Sequence, residues 1–352
     1  METNAEQLIE QVKDAASHVK PLRIVAGNSK AFYGNNTQGE PLNISGYRGI
    51  ISYEPTELYI TARAGTPLIE VEQALAGSGQ MLAFDPPRHT EATTIGGVVA
   101  CGLSGPRRPY AGAARDFILG ITCINGRGQL LRFGGQVMKN VAGYDLSRLL
   151  TGSFGTLGVI LDITLKVLPV ARHELTCTQN MSLQQVRQCL ATIATQPYPV
   201  SAAAFDGEKL YIRLSGKREL LDETVRTLKM DVDADANAWW QKLRDHRLPL
   251  FETAAHCWRL SLPVTAQPQF NDEGFILDWG GAQYWLASNR AGADIFQQAA
   301  ELGGSATLFK TSEQNQDRFQ PLPDTLLRLH RGLKDAFDPQ RILNPGRMYA
   351  TL

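Results

Sequence analysis

A short glycine-containing turn is the first feature of this sequence that could bind a ligand. The segment AGNSKAFYG (26–34) follows the apolar stretch LRIV. Gly27 and Asn28 adopt positive φ readily, and Ser29 and Lys30 supply donors just after them. Successive backbone N–H groups in such a turn can surround a phosphate. An ordinary hairpin turn is the alternative, because turns of this kind are common and the G-x-G-x-x-G fingerprint of dinucleotide-binding folds is absent.

A glycine-rich region between residues 94 and 169 predicts a second contact with a ligand. TIGGVVACGLSG (94–105) has the apolar spacing of a helix but carries several glycines, each of which costs a helix about 1 kcal/mol relative to alanine. The stretch GTLG (155–158) repeats this enrichment. Close approach of another body to bare backbone is the better explanation, and a large flat cofactor is such a body.

Composition excludes several classes of protein. The 352 residues are 43% hydrophobic and carry 35 basic and 35 acidic side chains, so the chain can form two domains and is an unlikely nucleic-acid binder. The polar N-terminal helix lacks a signal-peptide core, which favours a cytoplasmic protein, with membrane attachment through a partner subunit left open. The five scattered cysteines argue against disulfides and against an iron–sulfur cluster in this chain.

The elements that must position these residues form two halves. Apolar periodicity predicts a helix over 5–19, then strands over 22–26, 50–53 and 58–64, a helix from Thr66 as N-cap to Leu75, a hairpin at Asn125-Gly126 and a long strand that ends at Pro169. From His173 onward the pattern predicts the order β-α-β-β-α, and a second set of three strands, a helix and a strand follows it loosely after residue 256, which favours two ferredoxin-like units. Between the two units, Trp239 and Trp240 are expected to anchor a polar helix, with a partner interface as the alternative.

The order of several motifs along the chain resembles one known family. The motifs are TIGG and YAGAARDFILG, then KNVAGYDL, GSFGTLGVI and TLKVLP, and finally DPQRILNPG. Together they resemble the FAD-binding proteins of the vanillyl-alcohol oxidase/p-cresol methylhydroxylase (PCMH) type. The short length and the stretch SKAFYG are similar to the FAD-binding E subunits of bacterial glycolate oxidases.

This resemblance implies an α+β protein with a two-part PCMH-type FAD-binding domain (1–170), a smaller ferredoxin-like α+β cap (171–336) and a C-terminal tail (337–352) that returns to the FAD domain. It implies noncovalent FAD, because no histidine or cysteine stands where relatives attach the cofactor. The residues that it places against FAD are Ala26, Gly27, Asn28, Ser29, Lys30 and Gly34 in the turn, Pro86, Ile95, Gly96, Gly97, Ala100, Ser104 and Gly105 around the glycine-rich helix, Gly155, Gly158, Val159 and Ile160 in GTLGVI, and Asn344 in the tail.

Three departures from the family pattern limit what can be carried over. Ala26-Gly27-Asn28 replaces three glycines of the pyrophosphate turn, and Phe154 replaces a glutamate. Relatives that oxidise hydroxy acids on their own carry H-x-G-D-G-N-x-H in the cap, whereas this chain has ILDWGGAQYWLAS (276–288) without any histidine. The resemblance therefore implies no metal site and assigns no catalytic residue here.

Four side chains remain as weak catalytic candidates. Flavin-dependent oxidation of a 2-hydroxy acid needs a base for the hydroxyl proton and a cation for the carboxylate. His256 and Arg259, on one predicted cap strand, could take these roles if the strand twists. Arg107 and Arg108 could stabilise negative charge at N1–C2=O of the reduced flavin. Ordinary ion pairs and a buried structural histidine are the alternatives.

Two functions stay open at this stage. In the first, the chain is the FAD-binding subunit of a multisubunit glycolate oxidase that oxidises glycolate, and D-lactate as a second substrate, with electrons passed to an acceptor other than oxygen. In the second, it is a non-catalytic electron-relay or assembly subunit. Both imply a larger FAD-binding, hydroxy-acid-oxidising subunit and an iron–sulfur subunit as partners. The flavin subunit of a molybdenum hydroxylase is a more distant alternative that lacks the DPQRILNPG tail.

Overall fold

In the part that the structure describes, the N-terminal half has five α-helices and nine strands. The structure, a computed structural model, describes residues 4–135, 146–270, 274–313 and 316–352, so the motif KNVAGYD (139–145) lies outside the described residues. The helices are α1 Ala5–His18, α2 Leu68–Ala76, α3 Ile95–Cys101, α4 Arg108–Ala111 and α5 Leu146–Leu149. The strands are β1 Leu22–Val25, β2 Glu40–Asn43, β3 Ile50–Glu54, β4 Tyr59–Arg63, β5 Gln80–Met81, β6 Ile118–Ile124, β7 Leu130–Gly134, β8 Val159–Lys166 and β9 Leu168–Pro169.

The described strands of this half form three sheets of different size. Strands β1 and β2 form a parallel pair, β5 and β9 form an antiparallel pair, and β3-β4-β8-β6-β7 form an antiparallel sheet in that order. Strand β8 lies at the centre of the larger sheet, and only Asp162 and Lys166 of its eight residues are not buried. This near-continuous burial is expected of a strand that is covered on both faces. The core of this half also takes Leu8, Val12 and Ala15 from one face of α1.

The glycine-rich stretch forms helix α3, which packs closely against the backbone of a neighbouring segment. The Thr94 hydroxyl accepts a hydrogen bond from the Gly97 N–H (3.3 Å) and caps α3. A Cβ on Gly96 would lie 2.6 Å from the Ala64 Cβ, so the helix packs directly on the backbone that follows β4. The expected N-cap of α2 is wrong: Pro67 occupies that position, and the Thr66 hydroxyl accepts from the Gly49 N–H (2.8 Å).

The C-terminal half is built on one eight-stranded antiparallel sheet. Its strands are β10 His173–Asn180, β11 Val200–Phe205, β12 Lys209–Gly216, β13 Asp231–Val232, β14 His256–Ser261, β15 Phe275–Asp278, β16 Gln283–Ala287 and β17 Ser305–Thr311. Its helices are α6 Leu183–Ala194, α7 Arg218–Leu228, α8 Ala236–Arg244, α9 Pro249–Thr253, α10 Gly292–Glu301 and α11 Asp324–Phe337. The order β13-β10-β12-β11-β15-β16-β14-β17 joins two sets of strands at β11 and β15: β10, β11 and β12 with α6 and α7 follow the order β-α-β-β-α, whereas the second set runs β14-β15-β16-α10-β17. The predicted α+β class is confirmed, because helices and mostly antiparallel strands make up both halves.

Helix α8 is anchored on the cap sheet by its two tryptophans. Trp240 is buried, and its indole N–H donates to the Thr176 hydroxyl (2.9 Å). The Trp239 ring stacks on Tyr211 with 3.7 Å between ring centroids. These contacts agree with the anchoring role that the sequence favours over a partner interface.

A buried ion pair fixes the C-terminal tail to the N-terminal half. Lys334 Nζ lies 2.8 Å from a carboxylate oxygen of Asp338 and donates to the carbonyls of Thr156 and Leu343, at 2.8 and 2.9 Å. Both charged side chains are buried, so their hydrogen bonds must compensate their lost hydration. Phe337 at the end of α11 packs in the N-terminal core. The last turn of α11 therefore contacts the N-terminal half, although the predicted boundary at 336 assigns this helix to the cap.

Candidate cofactor-binding site

A cavity of about 390 Å³ lies where β1, the turn after it, α3, the GTLG turn and the tail meet. This volume is within the range of ligand pockets, about 300–1,000 Å³. Its lining residues are Arg23, Ile24, Val25, Ala26, Gly27, Asn28, Ser29, Lys30, Ala31, Asn36, Thr37, Gln38, Ile44, Thr94, Gly96, Gly97, Ala100, Cys101, Phe154, Gly155, Gly158, Ile160, Asn344 and Arg347.

The turn after β1 presents a row of backbone donors. None of the five N–H groups from Ala26 to Lys30 has a hydrogen-bond acceptor within the described part of the chain. The Arg347 guanidinium instead holds the carbonyls of this segment, donating to Ala31 (3.1 Å) and to Tyr33 (2.6 Å). Asn28 has φ +52°, the left-handed conformation that asparagine tolerates. Such unpaired N–H groups form an anion-binding concavity.

One glycine of the cavity wall has no packing reason to be glycine. A Cβ on Gly97 would meet only the Thr94 hydroxyl, at 3.3 Å, and Gly97 is absent from the residues with positive φ. Gly27 differs, because its Cβ would lie 1.4 Å from the Ala92 carbonyl oxygen. The bare backbone at Gly97 leaves space in the cavity, which is what a bound cofactor requires.

The charges around the cavity have one sign. Arg23, Lys30 and Arg347 line it, and no aspartate or glutamate is among the described residues that do. Lys30 is 7% exposed, and burial lowers the pKa of its ammonium. The donor row, the open backbone and this basic lining together fit a dinucleotide cofactor with an anionic diphosphate.

Asn344 joins the two walls of the cavity. Its Oδ1 accepts from the Ile24 N–H of β1 (2.8 Å), and its Nδ2 donates to the Phe154 carbonyl (2.7 Å). The side chain is buried, and its backbone has φ +41°. The tail residue that the sequence places at the flavin therefore lines the cavity and also clamps its walls together.

Twelve of the predicted cofactor residues meet at this cavity and six do not. The twelve are Ala26, Gly27, Asn28, Ser29, Lys30, Gly96, Gly97, Ala100, Gly155, Gly158, Ile160 and Asn344. The six outside its lining are Gly34, Pro86, Ile95, Ser104, Gly105 and Val159. Ile95 and Val159 are fully buried in the core of the N-terminal half. The Gly105 carbonyl accepts from the Trp279 indole, and the Ser104 hydroxyl accepts from the Ala114 N–H.

Backbone hydrogen bonds limit what α3 can offer a phosphate. The Ile95 N–H donates to the Thr66 carbonyl and the Gly96 N–H to the Ala64 carbonyl, both at 2.9 Å. Neither N–H is available for the pyrophosphate role that the resemblance implies. The turn after β1 therefore supplies the free donors.

Sequence reasoning missed part of the lining. Thr37 and Gln38 come from the segment before β2, and Arg347 comes from the tail. No local pattern marks these side chains, because they reach the cavity only when distant segments pack together. Phe154, which the sequence marks only as a departure from the family pattern, and Cys101 both line the site.

Arg107 and Arg108 do not line the cavity. Arg107 forms an ion pair with Glu174 of β10. The Arg108 guanidinium lies 4.2 Å from the centroid of the Trp279 ring, and burial lowers its pKa. Both side chains contact the cap, so a direct interaction with the flavin, as the sequence suggests, finds no support in their positions.

The pair His256 and Arg259 is separated in the structure. The His256 ring contacts the Thr311 hydroxyl (2.7 Å) and Glu313 (3.3 Å). Arg259 points to the other side of the sheet, where it donates to the Gln283 side-chain carbonyl (2.8 Å) and the Tyr33 hydroxyl (3.4 Å). The two side chains therefore do not form the base and carboxylate clamp that the sequence suggests.

Aromatic rings fill the space between the cavity and the cap. Tyr33 lies 5.0 Å from Phe154 and 5.1 Å from Phe309, and Phe309 lies 4.9 Å from Trp285 of the cap, all between ring centroids. His246 packs on the same rings, and burial lowers its pKa well below the usual value. We call Tyr33, Phe154, His246, Trp285 and Phe309 the interdomain aromatic cluster.

A buried carboxyl group lies at the same junction. Asp278 accepts from the Trp279 N–H (2.7 Å), and burial raises its pKa to about 7. Nearby, the Gln283 amide nitrogen is buried without a hydrogen-bond partner in the described residues, and the Trp285 side chain is buried beside Asp278. These polar groups of the cap are therefore shielded from solvent.

Comparisons with known proteins agree with a cofactor site of this kind. The family model "FAD binding domain" matches residues 2–134. The glycolate oxidase subunit GlcE of Escherichia coli K12 is 45% identical over 348 residues, covering 99% of this chain and 98% of that protein. The subunit GlcD of Bacillus subtilis 168 is 25% identical and covers 86% of this chain and 77% of that protein. A structure of alkyldihydroxyacetonephosphate synthase has the same fold, with a TM-score of 0.68 at 15% identity over 97% of this chain and 75% of that one.

The helices have one further property that bears on location. None of them, within the described ranges, combines the length and the hydrophobicity that a membrane span requires.

Proposed function

This chain belongs to the family of the glycolate oxidase subunit GlcE, and from that premise we propose that it is the FAD-binding subunit of a multisubunit glycolate oxidase. The complex would oxidise glycolate, and D-lactate as a second substrate, to the 2-oxo acid. Its electrons would pass to an acceptor other than oxygen. FAD, bound noncovalently, supplies the site that accepts two electrons from the hydroxy acid or from a partner subunit.

The observation that carries this proposal is the row of five N–H groups from Ala26 to Lys30 that no described residue accepts from, at a cavity whose described lining has no acidic side chain. These groups can satisfy the oxygens of a diphosphate without a full compensating charge. Arg347 maintains the row by holding the carbonyls of the same segment. Asn344 keeps β1 and the GTLG turn at the distance that the cavity requires.

The proposal includes two partners. One is a larger FAD-binding subunit that oxidises the hydroxy acid, and the other is an iron–sulfur subunit that takes the electrons. The five cysteines of this chain support the second partner, because their spacing is not that of a cluster-binding motif. Any attachment to the inner membrane would then go through these partners.

A relay or assembly role is the second candidate, and the interdomain aromatic cluster favours it. Phe154 and Tyr33 lie between the cavity and the cap, and the polar side chains of Gln283 and Trp285 in the cap are buried. A hydroxy acid could reach these groups only if the cap moved. In this role the larger partner would carry out the oxidation, and this chain would carry electrons or hold the complex together.

Anaerobic bleaching of the flavin distinguishes the two roles. The chain is purified alone and in its complex, and the flavin absorbance is followed under nitrogen after addition of glycolate. Bleaching of the isolated yellow chain supports direct oxidation, whereas bleaching only in the complex supports the relay role. A chain that stays colourless and takes up no FAD, even beside its partners, contradicts the proposal as a whole.

A further inference from the structure

Lys30 is the one buried cation of the cavity that no other group pairs with. Its side chain is 7% exposed, and no hydrogen bond or ion pair joins its Nζ to another described residue. Arg347 differs, because its guanidinium is bonded to backbone carbonyls. Arg23 differs too, because water reaches its half-exposed side chain and screens its charge. An unpaired buried charge is costly, so a ligand that brings negative charge is expected at Lys30.

Lys30 lies at the end of the turn that faces the cap, because Phe32 and Tyr33, two and three residues further on, pack on Phe309 with 5.3 and 5.1 Å between ring centroids. The charge of Lys30 also contributes to the pKa shifts of Cys101 at the end of α3 and of His89 and His246, whose rings stack 5.2 Å apart. Burial, with Lys30 as the next cause, lowers the pKa of His89 to about 4. The pKa of His246 is also lowered. Both imidazoles are therefore neutral at neutral pH, so Lys30 is the group among these three that can bring positive charge to this end of the cavity.

FAD has only two places where negative charge resides. One is the diphosphate, which the free N–H groups from Ala26 to Lys30 can satisfy. The other is the isoalloxazine after reduction: a hydride brings two electrons and one proton to N5, and the resulting negative charge lies at N1–C2=O. When glycolate is the donor, its hydroxyl proton goes to solvent, so charge and protons balance.

We propose that the ammonium of Lys30 stabilises the negative charge that the isoalloxazine gains on reduction, and thereby raises the reduction potential of this flavin. The inference rests on the proposed function, since it requires FAD in this cavity. Lys30 takes the role that the sequence suggests for Arg107 and Arg108, because both arginines are held by contacts with the cap. A fixed charge in water-poor surroundings interacts strongly with a charge that develops beside it.

The test measures the reduction potential of the bound flavin in Lys30→Met, a variant of similar length without charge. The full chain loaded with FAD is equilibrated with reference dyes under nitrogen, with dithionite as the reductant. We expect the ratio of reduced to oxidised flavin at a fixed potential to fall by about tenfold, which is about 30 mV for a two-electron couple. Formation of the sulfite adduct at N5, which also leaves negative charge on the ring, should weaken in parallel.

Three comparisons make the result specific. Lys30→Arg keeps the charge and should leave the ratio within about threefold of the original. Lys310→Met removes a cation that also influences His89 but does not line the cavity, since its Nζ donates to the Phe251 carbonyl (2.8 Å). It should change the ratio by less than about twofold. If Lys30→Met does not fold, Lys30→Gln takes its place.

Two outcomes would overturn the inference while leaving FAD binding intact. An unchanged ratio in Lys30→Met shows that the ammonium does not act on the reduced ring. An unchanged ratio together with a tenfold or larger loss of FAD affinity, about 1.4 kcal/mol, assigns Lys30 to the diphosphate instead. Failure of the proposed function looks different, because the chain would then take up no FAD at all.

Discussion

Replacement of Asn344 by alanine should destabilise the protein by about 2–4 kcal/mol and weaken FAD binding at least tenfold. Asn344 is buried and makes two hydrogen bonds, one to the Ile24 N–H and one to the Phe154 carbonyl. Alanine leaves both backbone groups without partners, and each such group costs about 1–3 kcal/mol. Ile24 and Phe154 line the cavity, so the same change frees its two walls to separate. A loss of 1.4 kcal/mol in binding is a tenfold loss of affinity.

The assay combines urea unfolding of the FAD-free chain, followed by tryptophan fluorescence and circular dichroism, with fluorescence titration of FAD. Asn344→Gly tolerates the positive φ but also loses both hydrogen bonds, so it should recover no more than about 1 kcal/mol relative to alanine. Asn36→Ala is the matched control, because Asn36 lines the cavity with an exposed side chain that makes no hydrogen bond among the described residues. Its free energy of unfolding should change by less than about 0.5 kcal/mol.

Two results would refute this reasoning. A loss of less than about 1 kcal/mol in Asn344→Ala would mean that water replaces both hydrogen bonds from the cavity side. Unchanged FAD affinity, despite the expected loss of stability, would mean that the clamp holds the tail but not the cavity walls. Recovery of full stability by Asn344→Gly would assign the effect to backbone strain instead of hydrogen bonding.

Two further predictions concern neighbouring glycines and the buried carboxyl group. Gly96→Ala should destabilise the chain by about 1–3 kcal/mol, because the new Cβ would lie 2.6 Å from the Ala64 Cβ. Gly97→Ala should leave stability equal or raised by up to about 1 kcal/mol, yet weaken FAD binding; equal effects at both positions on urea unfolding and FAD titration would contradict this. Asp278 has a folded pKa of about 7 against an ordinary 3.8, so the stability that it contributes is complete below about pH 4 and is lost as pH rises to about 7. Asp278→Asn should remove this loss in urea unfolding measured from pH 5 to pH 8, and an unchanged pH profile would show that the carboxyl group is already ionised.

The buried groups at the junction illustrate how the two halves depend on each other. Arg213 of β12 is buried and pairs with Asp85 of the N-terminal half at 3.3 Å, while Arg107 reaches Glu174 of β10. These ion pairs cross between the halves and are partly shielded from water, so they fix the orientation of the cap more than isolated surface pairs would. A cap held in this way keeps the interdomain aromatic cluster closed over the cavity.

The sequence by itself determined the local structure and the kind of ligand. Helix and strand periods, the Asn125-Gly126 hairpin and the bare backbone at Gly96 and Gly97 depend on neighbours within a few residues, so each could be read in order along the chain. The turn from Ala26 to Lys30, which supplies the N–H donors, can also be predicted from its local sequence. The backbone preferences of its glycine and asparagine exist before the chain has folded.

Only the tertiary structure decided which side chains face the ligand. Arg107 and Arg108 follow the glycine-rich helix directly, yet contacts with Glu174 and Trp279 of the cap turn them away from the cavity. Arg347 reaches the cavity from more than 300 positions away, and Lys30 becomes its unpaired cation because none of the described residues that line the cavity has a carboxylate. The direction of a side chain and its charge pairing depend on segments that folding brings together. The local sequence does not specify which distant segments these are.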